Sequence, residues 1–255
     1  MTFWTRIEHQ GRARIGTIEG DLIRLHEGDM FAGATPTAET VAVAEARWLT
    51  PTVPTKMVAL WNNFHAAAGK NGWAIPAEPL YFIKTPNTFN PHDQPVRAPK
   101  SYDGRVVYEG ELGIVIGKIC MAVPVDQAAD HIFGYTCVND VTALELLQRD
   151  PAFPQWTRAK NFDTFGAFGP VVATGLDPAG LVVRTLVNGR ERQNYPASDM
   201  IFAPAELVSR ISQNMTLVPG DVIACGTSLG VLPMKPGTTV EVAIDGIGIL
   251  RNEYV

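Results

Sequence analysis

The most constraining stretch of this sequence is Val106–Lys118, VVYEGELGIVIGK, because it sets two carboxylates, Glu109 and Glu111, at the mouth of one of the most apolar runs in the chain. Leu112, Ile114, Val115 and Ile116 predict a buried strand closed by Gly117. Side chains two residues apart on a strand point to one face, so Glu109 and Glu111 are expected as neighbours. Two like charges about 4 Å apart repel by roughly 4 kcal/mol at an effective dielectric near 20, and burial adds a desolvation cost. Such a pair calls for a positive partner, and a divalent cation is the first candidate.

A third ligand is available in GYTCVND, Gly134–Asp140, a short strand with a carboxylate at its end. Glu109, Glu111 and Asp140 would form an all-oxygen site, a donor set suited to Mg²⁺ or Mn²⁺ and less well to Zn²⁺. Spacing alone leaves a second reading open, in which the glutamates lie on a solvated strand face and Asp140 caps a turn.

A series of blocks then narrows the choice: YEGELGIVIGK, GYTCVNDVT, AKNFDTFGAFGP, LVNGRERQN, LVPGDVIACGTSLGV and DGIGILRN, in that order. Together they resemble the fumarylacetoacetate hydrolase superfamily from about Met57 to the C-terminus. The resemblance implies that Glu109, Glu111 and Asp140 hold Mg²⁺ or Mn²⁺. It also implies a β-rich roll and a homodimer.

Composition sets outer bounds. With 255 residues, 46% hydrophobic and 18% charged, the chain can bury a sizeable core. A net charge of −5 and no basic cluster argue against nucleic acid or an anionic membrane as partner. No apolar run approaches the roughly 20 residues a bilayer span needs, and MTFWTRIEHQGR lacks the apolar core of a signal peptide. The expected location is cytoplasmic. Cys120, Cys137 and Cys225 are odd in number, widely spaced and set in apolar sequence, which predicts buried free thiols in a reducing compartment.

Taken in order, Phe3–Ile7, Ala13–Ile18 and Leu22–His26 alternate as short strands of a β meander. Thr37–Trp48 fits either a short helix or a further strand, and the proline-rich LTPTVPT, Leu49–Thr55, reads as a linker. The division is a small N-terminal β region with linker over residues 1–55 and a catalytic domain over 56–255. Pro86–Lys100 is rich in proline and expected at the surface. A helix is expected from Asp126 up to Gly134. Asn188-Gly189 between strand-like runs predicts a hairpin, and Pro204 opens a helix through Gln213 whose Leu207, Val208 and Ile211 share an apolar face. Many short strands, few helices and no βαβ alternation place the chain in the α+β class dominated by sheet.

Outside the metal ligands the resemblance points to further site residues. Lys160 in AKNFDTF matches the family lysine and is the catalytic candidate, since an ammonium near a bound oxyanion stabilises charge that develops there. Lys84, at the end of the strand EPLYFIKT, is expected to hold an anionic substrate, and Gly226 and Thr227 of the loop GTSLG to cradle its carboxylate. Two places depart from the family. After Asn63-Phe64 the family carries a His/Glu acid–base pair on a closing lid; here His65 follows at once, and Gly69 and Lys70 stand where a glutamate would be sought. His65 is therefore either a displaced base or a loop residue. Leu144 replaces the arginine that reaches the substrate carboxylate, leaving Arg149 or Arg158 to supply that charge.

The resemblance implies action on a 2-oxo or 2,4-dioxo acid through a metal-stabilised enolate. Hydrolytic C–C cleavage of an acylpyruvate-like acid is the expected reaction. The alternatives are isomerisation or decarboxylation of a 2-hydroxydienedioate, as in homoprotocatechuate catabolism, or metal binding without turnover.

Overall fold

The alternating pattern of the N-terminal residues forms the strands it predicts. In the computed structural model, which describes residues 1–255, β1 (Thr2–His9), β2 (Arg12–Glu19), β3 (Leu22–Glu27) and β4 (Thr35–Ala42) run as an antiparallel meander. Thr37–Trp48 is mostly strand: it completes β4 and, after a single turn, supplies β5 (Arg47–Trp48) on the edge of β1. The main body opens with β6 (Met57–Trp61), α1 (His65–Asn71), β7 (Leu80–Lys84) and the short β8 (Phe89–Asn90). The glutamate stretch gives β9 (Val106–Val107) and β10 (Gly110–Ile116), followed by α2 (Val125–Ala128), β11 (Ile132–Asp140) and β12 (Thr142–Ala143). Then come α3 (Trp156–Lys160), β13 (Gly166–Thr174), and the hairpin β14 (Val182–Val187) and β15 (Arg190–Pro196), turned by Asn188 and Gly189 at φ 50° and 73°. The chain ends with α4 (Pro204–Ser212), β16 (Val222–Ala224), β17 (Pro233–Met234), β18 (Thr238–Ile244) and β19 (Gly248–Tyr254).

The architecture is α+β and rich in strand, as the sequence pattern predicts. A twelve-stranded sheet has the order β4-β3-β2-β1-β13-β11-β10-β16-β6-β7, with β5 added on β1 and β8 on β13. Only β16–β6 and β13–β8 pair in parallel in it. A four-stranded sheet, β15-β14-β18-β19, packs across it, and β12-β9-β17 forms a small third sheet. Because β1 pairs with β13, Thr2 opposite Thr174, the meander continues the main sheet.

β10 is buried along its whole length, which explains its unbroken apolar run. Leu112, Ile114 and Ile116 face the largest core with Leu207, Val208 and Ile211 of α4, while Val115 joins a smaller core with Val138, Phe168 and Val172 on the opposite face. Alternation puts Glu111 on that second face.

Two expected elements differ. The helix expected to reach Gly134 stops at Ala128, and a single 3₁₀ turn leads straight into β11. Gly117 N–H donates to His131 C=O at 2.8 Å, so the ladder beside β10 claims residues that a short helix would hold only weakly. The loop after Pro86 differs only in part: much of it is exposed, as expected, but Thr88, Asn90 and Val96 are buried, and Val96 exchanges backbone hydrogen bonds with the C-terminal strand, to Glu253 C=O at 2.8 Å and from Val255 N–H at 2.9 Å. The three cysteines are free and buried. No helix is long and apolar enough to cross a membrane.

The linker is held by one buried carboxylate. Asp221 Oδ1 accepts from Thr55 N at 2.9 Å, Thr55 Oγ1 at 2.7 Å and Lys56 N at 3.2 Å, and its Oδ2 from Lys56 Nζ at 2.6 Å and Val218 N at 3.0 Å. Removing it strands several part-buried donors and a cation together. Asp221→Ala is expected to lower stability by about 3–5 kcal/mol in urea denaturation, and Asp221→Asn by less, because it keeps one acceptor oxygen.

Candidate metal centre

Glu109 sits one residue before β10, Glu111 lies inside it, and Asp140 ends the neighbouring β11. The antiparallel register sets Gly110 opposite Asn139 and Glu111 opposite Val138, which carries Asp140 alongside Glu109. One carboxylate oxygen from each residue lies within 4.8 Å of the others.

Two lysines converge on the same point. Lys160, at the end of α3, is buried and places Nζ 2.5 Å from Asp140 Oδ2 and 3.0 Å from Glu109 Oε2. Lys84, at the end of β7, is fully buried with Nζ 2.7 Å from Asp140 Oδ1, and it also donates to the Lys160 carbonyl. Lys84 therefore stands behind Asp140 and pins the end of α3.

The residue between the glutamates must be glycine. A Cβ on Gly110 would lie 2.0 Å from Thr185 Oγ1. Its bare backbone instead meets Gln193, whose Oε1 accepts from Gly110 N–H at 3.0 Å, and its carbonyl accepts from the Tyr195 hydroxyl and from Thr227 Oγ1 at 2.9 Å. Thr227 also accepts from Gln193 Nε2 at 2.8 Å, so its hydroxyl is engaged in holding β10. Gly226 N–H donates to Glu111 Oε2 at 2.8 Å and orients that carboxylate. The two loop residues expected to meet substrate thus bond Glu111 and the Gly110 carbonyl in this structure. Sequence reasoning did not single out Thr142, which donates to Glu109 Oε1 at 2.5 Å, Asn139, which accepts from Glu109 N–H at 3.1 Å, or Gln193 and Tyr195. Gln193 does lie in the block LVNGRERQN; Tyr195 carries no local signal.

The acid–base and arginine candidates lie elsewhere. His65 is exposed at the first position of α1 and makes no hydrogen bond, and Lys70 of the same helix is exposed. His9, His26 and His92 bond to Glu39, Thr17 and Arg251 respectively, and His131 ends the turn before β11. Arg149 and Arg158 are exposed and join no ion pair. Glu145, next to Leu144, is occupied by Arg105 and Tyr102, which hold its carboxyl at about 2.

The family model described as fumarylacetoacetate hydrolase C-terminal matches residues 56–255. The chain belongs to the fumarylacetoacetate hydrolase family. A second model, Rv2993c-like N-terminal, matches residues 4–51. Oxaloacetate tautomerase YisK of Bacillus subtilis is 36% identical over 265 residues, covering 93% of this chain and 87% of its own. A bifunctional isomerase/decarboxylase of 4-hydroxyphenylacetate degradation from Salmonella dublin is 36% identical over 252 residues, 95% of this chain and 57% of that longer one. The crystal structure of 2-hydroxyhepta-2,4-diene-1,7-dioate isomerase from Mycobacterium marinum superposes with a TM-score of 0.91 at 37% identity, covering 100% of this chain and 98% of that one.

The residues of this family member fit a hard divalent cation. All donors are oxygens, and Glu111 Oε1 is buried with no partner. Burial pushes Glu111 well above the ordinary carboxylate range, with Asp140 and Glu109 adding to it, and burial likewise raises Glu109 against the pull of Lys160. For Asp140 burial acts upward too, but Lys160 and Lys84 outweigh it and hold the group below its usual value. Burial would lower Lys160, yet Asp140 and Glu109 hold it raised; Lys84 is lowered by burial. Three carboxylates against two ammonium groups leave one negative charge, on the glutamate without a cation.

This imbalance has a measurable sign. In the metal-free protein the protonated form of Glu111 is the stabilising one. Its contribution is present below the unfolded value near 4.5 and is lost as the pH rises through the raised folded value. Metal-free Glu111→Gln is therefore expected to melt higher than the parent at pH 8, on the order of 5 °C, with the gap closing toward pH 4.5. Saturating Mg²⁺ or Mn²⁺ reverses the order at pH 8, because glutamine supplies no anionic ligand. Thermal melts across pH with and without metal check both.

Proposed function

We propose that the protein is a divalent-metal-dependent enzyme of 2-oxo acids that acts by decarboxylation. The reading rests on one observation: both ammonium groups of the site are engaged with Asp140, and none of the chain's five histidines bonds to the cluster. Hydrolytic C–C cleavage requires a base to activate water, and His65, the residue nominated for that work, is exposed and unbonded. Decarboxylation makes no such demand. The bond from C3 to a carboxylate β to the ketone breaks, its electron pair forms the C2–C3 double bond as the carbonyl pair moves onto the ketone oxygen, carbon dioxide leaves, and a proton from solvent later restores the C–H bond at C3.

Lys160 is the residue that answers this charge movement. Its ammonium is buried, so a developing oxyanion meets it in low dielectric with no water to reorganise. Lys84 keeps Asp140 ionised and the end of α3 in place. A cation held by Glu109, Glu111 and Asp140 would bind the ketone and carboxylate oxygens of the substrate and act as a Lewis acid. Tautomerisation or isomerisation of the same acids is the second reading. It is favoured by the full-length likeness to the Mycobacterium marinum isomerase and by YisK.

Proton NMR in D₂O distinguishes the three reactions. With Mg²⁺, oxaloacetate is expected to yield pyruvate well above the metal-only rate, acetylpyruvate is expected to stay whole, and a chelator abolishes the difference. Acetate and pyruvate formed from acetylpyruvate would establish hydrolysis instead. Deuterium entering C3 of oxaloacetate without loss of carbon dioxide would establish the tautomerase. Lys160→Met is expected to lower turnover by about 10²–10³-fold.

A further inference from the structure

The glutamate segment and the loop after β16 lie side by side, and the bonds between them follow a register. The Tyr108 hydroxyl donates to Gly230 C=O at 2.7 Å, Thr227 Oγ1 donates to Gly110 C=O at 2.9 Å, and Gly226 N–H donates to Glu111 Oε2 at 2.8 Å. Numbers rise along one segment as they fall along the other, so residues 108–111 and 226–230 are laced as an antiparallel pair in which side chains stand in for ladder bonds. The close approach extends to Gly230, at φ 101°, where a Cβ would lie 2.0 Å from the Arg192 carbonyl oxygen.

One side chain from a third segment, Gln193 of β15, bonds to both. It is 1% exposed. Its Oε1 accepts from Gly110 N–H at 3.0 Å, while its Nε2 donates to Thr227 Oγ1 at 2.8 Å and lies 3.3 and 3.4 Å from the Ser228 and Leu229 carbonyl oxygens. A neutral amide offers an acceptor and two donors from one planar group, and both kinds are used here. Gln193 is itself fixed by strand pairing, opposite Thr185 of β14, whose Oγ1 is the atom that excludes a side chain at Gly110. Gly110 is therefore confined on every polar and steric side, and it is the residue that separates Glu109 from Glu111. Gln193 reaches the carboxylates only through that peptide.

We propose that Gln193 is a positioning residue of the metal centre: by clamping the Gly110 peptide to the Gly226–Gly230 loop it fixes the separation of Glu109 and Glu111, and so sets the size of cation the site prefers. The proposal rests on the reading of Glu109, Glu111 and Asp140 as metal ligands. Mg²⁺ holds oxygens at about 2.0–2.1 Å in near-octahedral geometry, whereas Ca²⁺ accepts about 2.3–2.6 Å and irregular geometry. A segment released from its clamp samples a wider range of ligand spacings, which costs Mg²⁺ more than Ca²⁺.

Mn²⁺ binding to the metal-free protein, followed by the paramagnetic resonance of the free aqueous ion and then by displacement with Mg²⁺ and with Ca²⁺, tests this without turnover. Gln193→Leu is expected to weaken Mg²⁺ binding by about 10- to 100-fold and Ca²⁺ binding by less, so that the Mg²⁺ to Ca²⁺ affinity ratio falls at least about fivefold. Thr227→Val cuts the other end of the clamp and is expected to move the ratio the same way, giving the answer where Gln193→Leu does not fold; Thr227→Ser, which keeps the hydroxyl, is expected to retain the parent ratio. Asp221→Asn lowers stability without touching the clamp and is expected to leave all three affinities as in the parent. A ratio unchanged in Gln193→Leu and Thr227→Val, or shifted equally in Asp221→Asn, overturns the proposal and leaves the metal reading standing. Failure of the parent to bind Mn²⁺ overturns that reading and the proposal with it.

Discussion

Three carboxylates within 4.8 Å of one another cannot all stay charged in a protein interior without cations, and the architecture around them follows from that need. Asp140 carries two ammonium groups, Lys84 on one oxygen and Lys160 on the other. Glu109 shares Lys160, and Glu111 has none. Buried ion clusters rarely add stability over well-packed apolar groups. This one is short of a single positive charge, and Glu111 Oε1 is buried in it without a partner. The lysines also have a mechanical part, since Lys84 holds the Lys160 carbonyl and so fixes the element that presents the second ammonium.

The second requirement is steric. Glu109 and Glu111 reach one point only if the backbone between them comes close against β14 and β15, and the absence of a side chain at Gly110 permits it. Gln193, Tyr195 and Thr227 then saturate both polar groups of that peptide unit. Two parts of the chain that are distant in sequence, β15 and the loop after β16, are thereby committed to one short segment. The family relationship and the strand-rich fold are consistent with this economy: a long sheet supplies ligands from adjacent strands, and loops supply N–H and hydroxyl groups that keep them there.

How much of this was legible in the sequence depends on the range of the interaction. The convergence of Glu109, Glu111 and Asp140 could be read because a strand period of two and an apolar surround are local facts, and both hold in β10 and β11. The hairpin at Asn188-Gly189 was legible for the same reason: φ above zero is demanded within two residues. The work of Gly226 and Thr227 was not, because their partners Glu111 and Gly110 lie more than a hundred positions away and are brought in only by the pairing of β10 with β16. The end of α2 was misread because a four-residue helix competes with a ladder bond from Gly117 that the local pattern does not reveal. The strands at Phe3–Ile7, Ala13–Ile18 and Leu22–His26 were legible as a meander, but nothing local announces that β1 will join β13 and turn that meander into one wing of the main sheet.

The hairpin-like pair β6–β7 ties the charged and aromatic parts of the site into one object. Its register puts Met57 with Lys84, Ala59 with Phe82 and Trp61 with Leu80 on a single face, so a step of two residues moves from a buried cation to a ring beside the Lys160 ammonium. A cation over a partly desolvated ring gains about 0.5–2 kcal/mol, which favours Lys160 in the position where it also meets Asp140 and Glu109. Lys160 is thus held from two sides, by carboxylates that fix its charge and by an aromatic face that limits its travel.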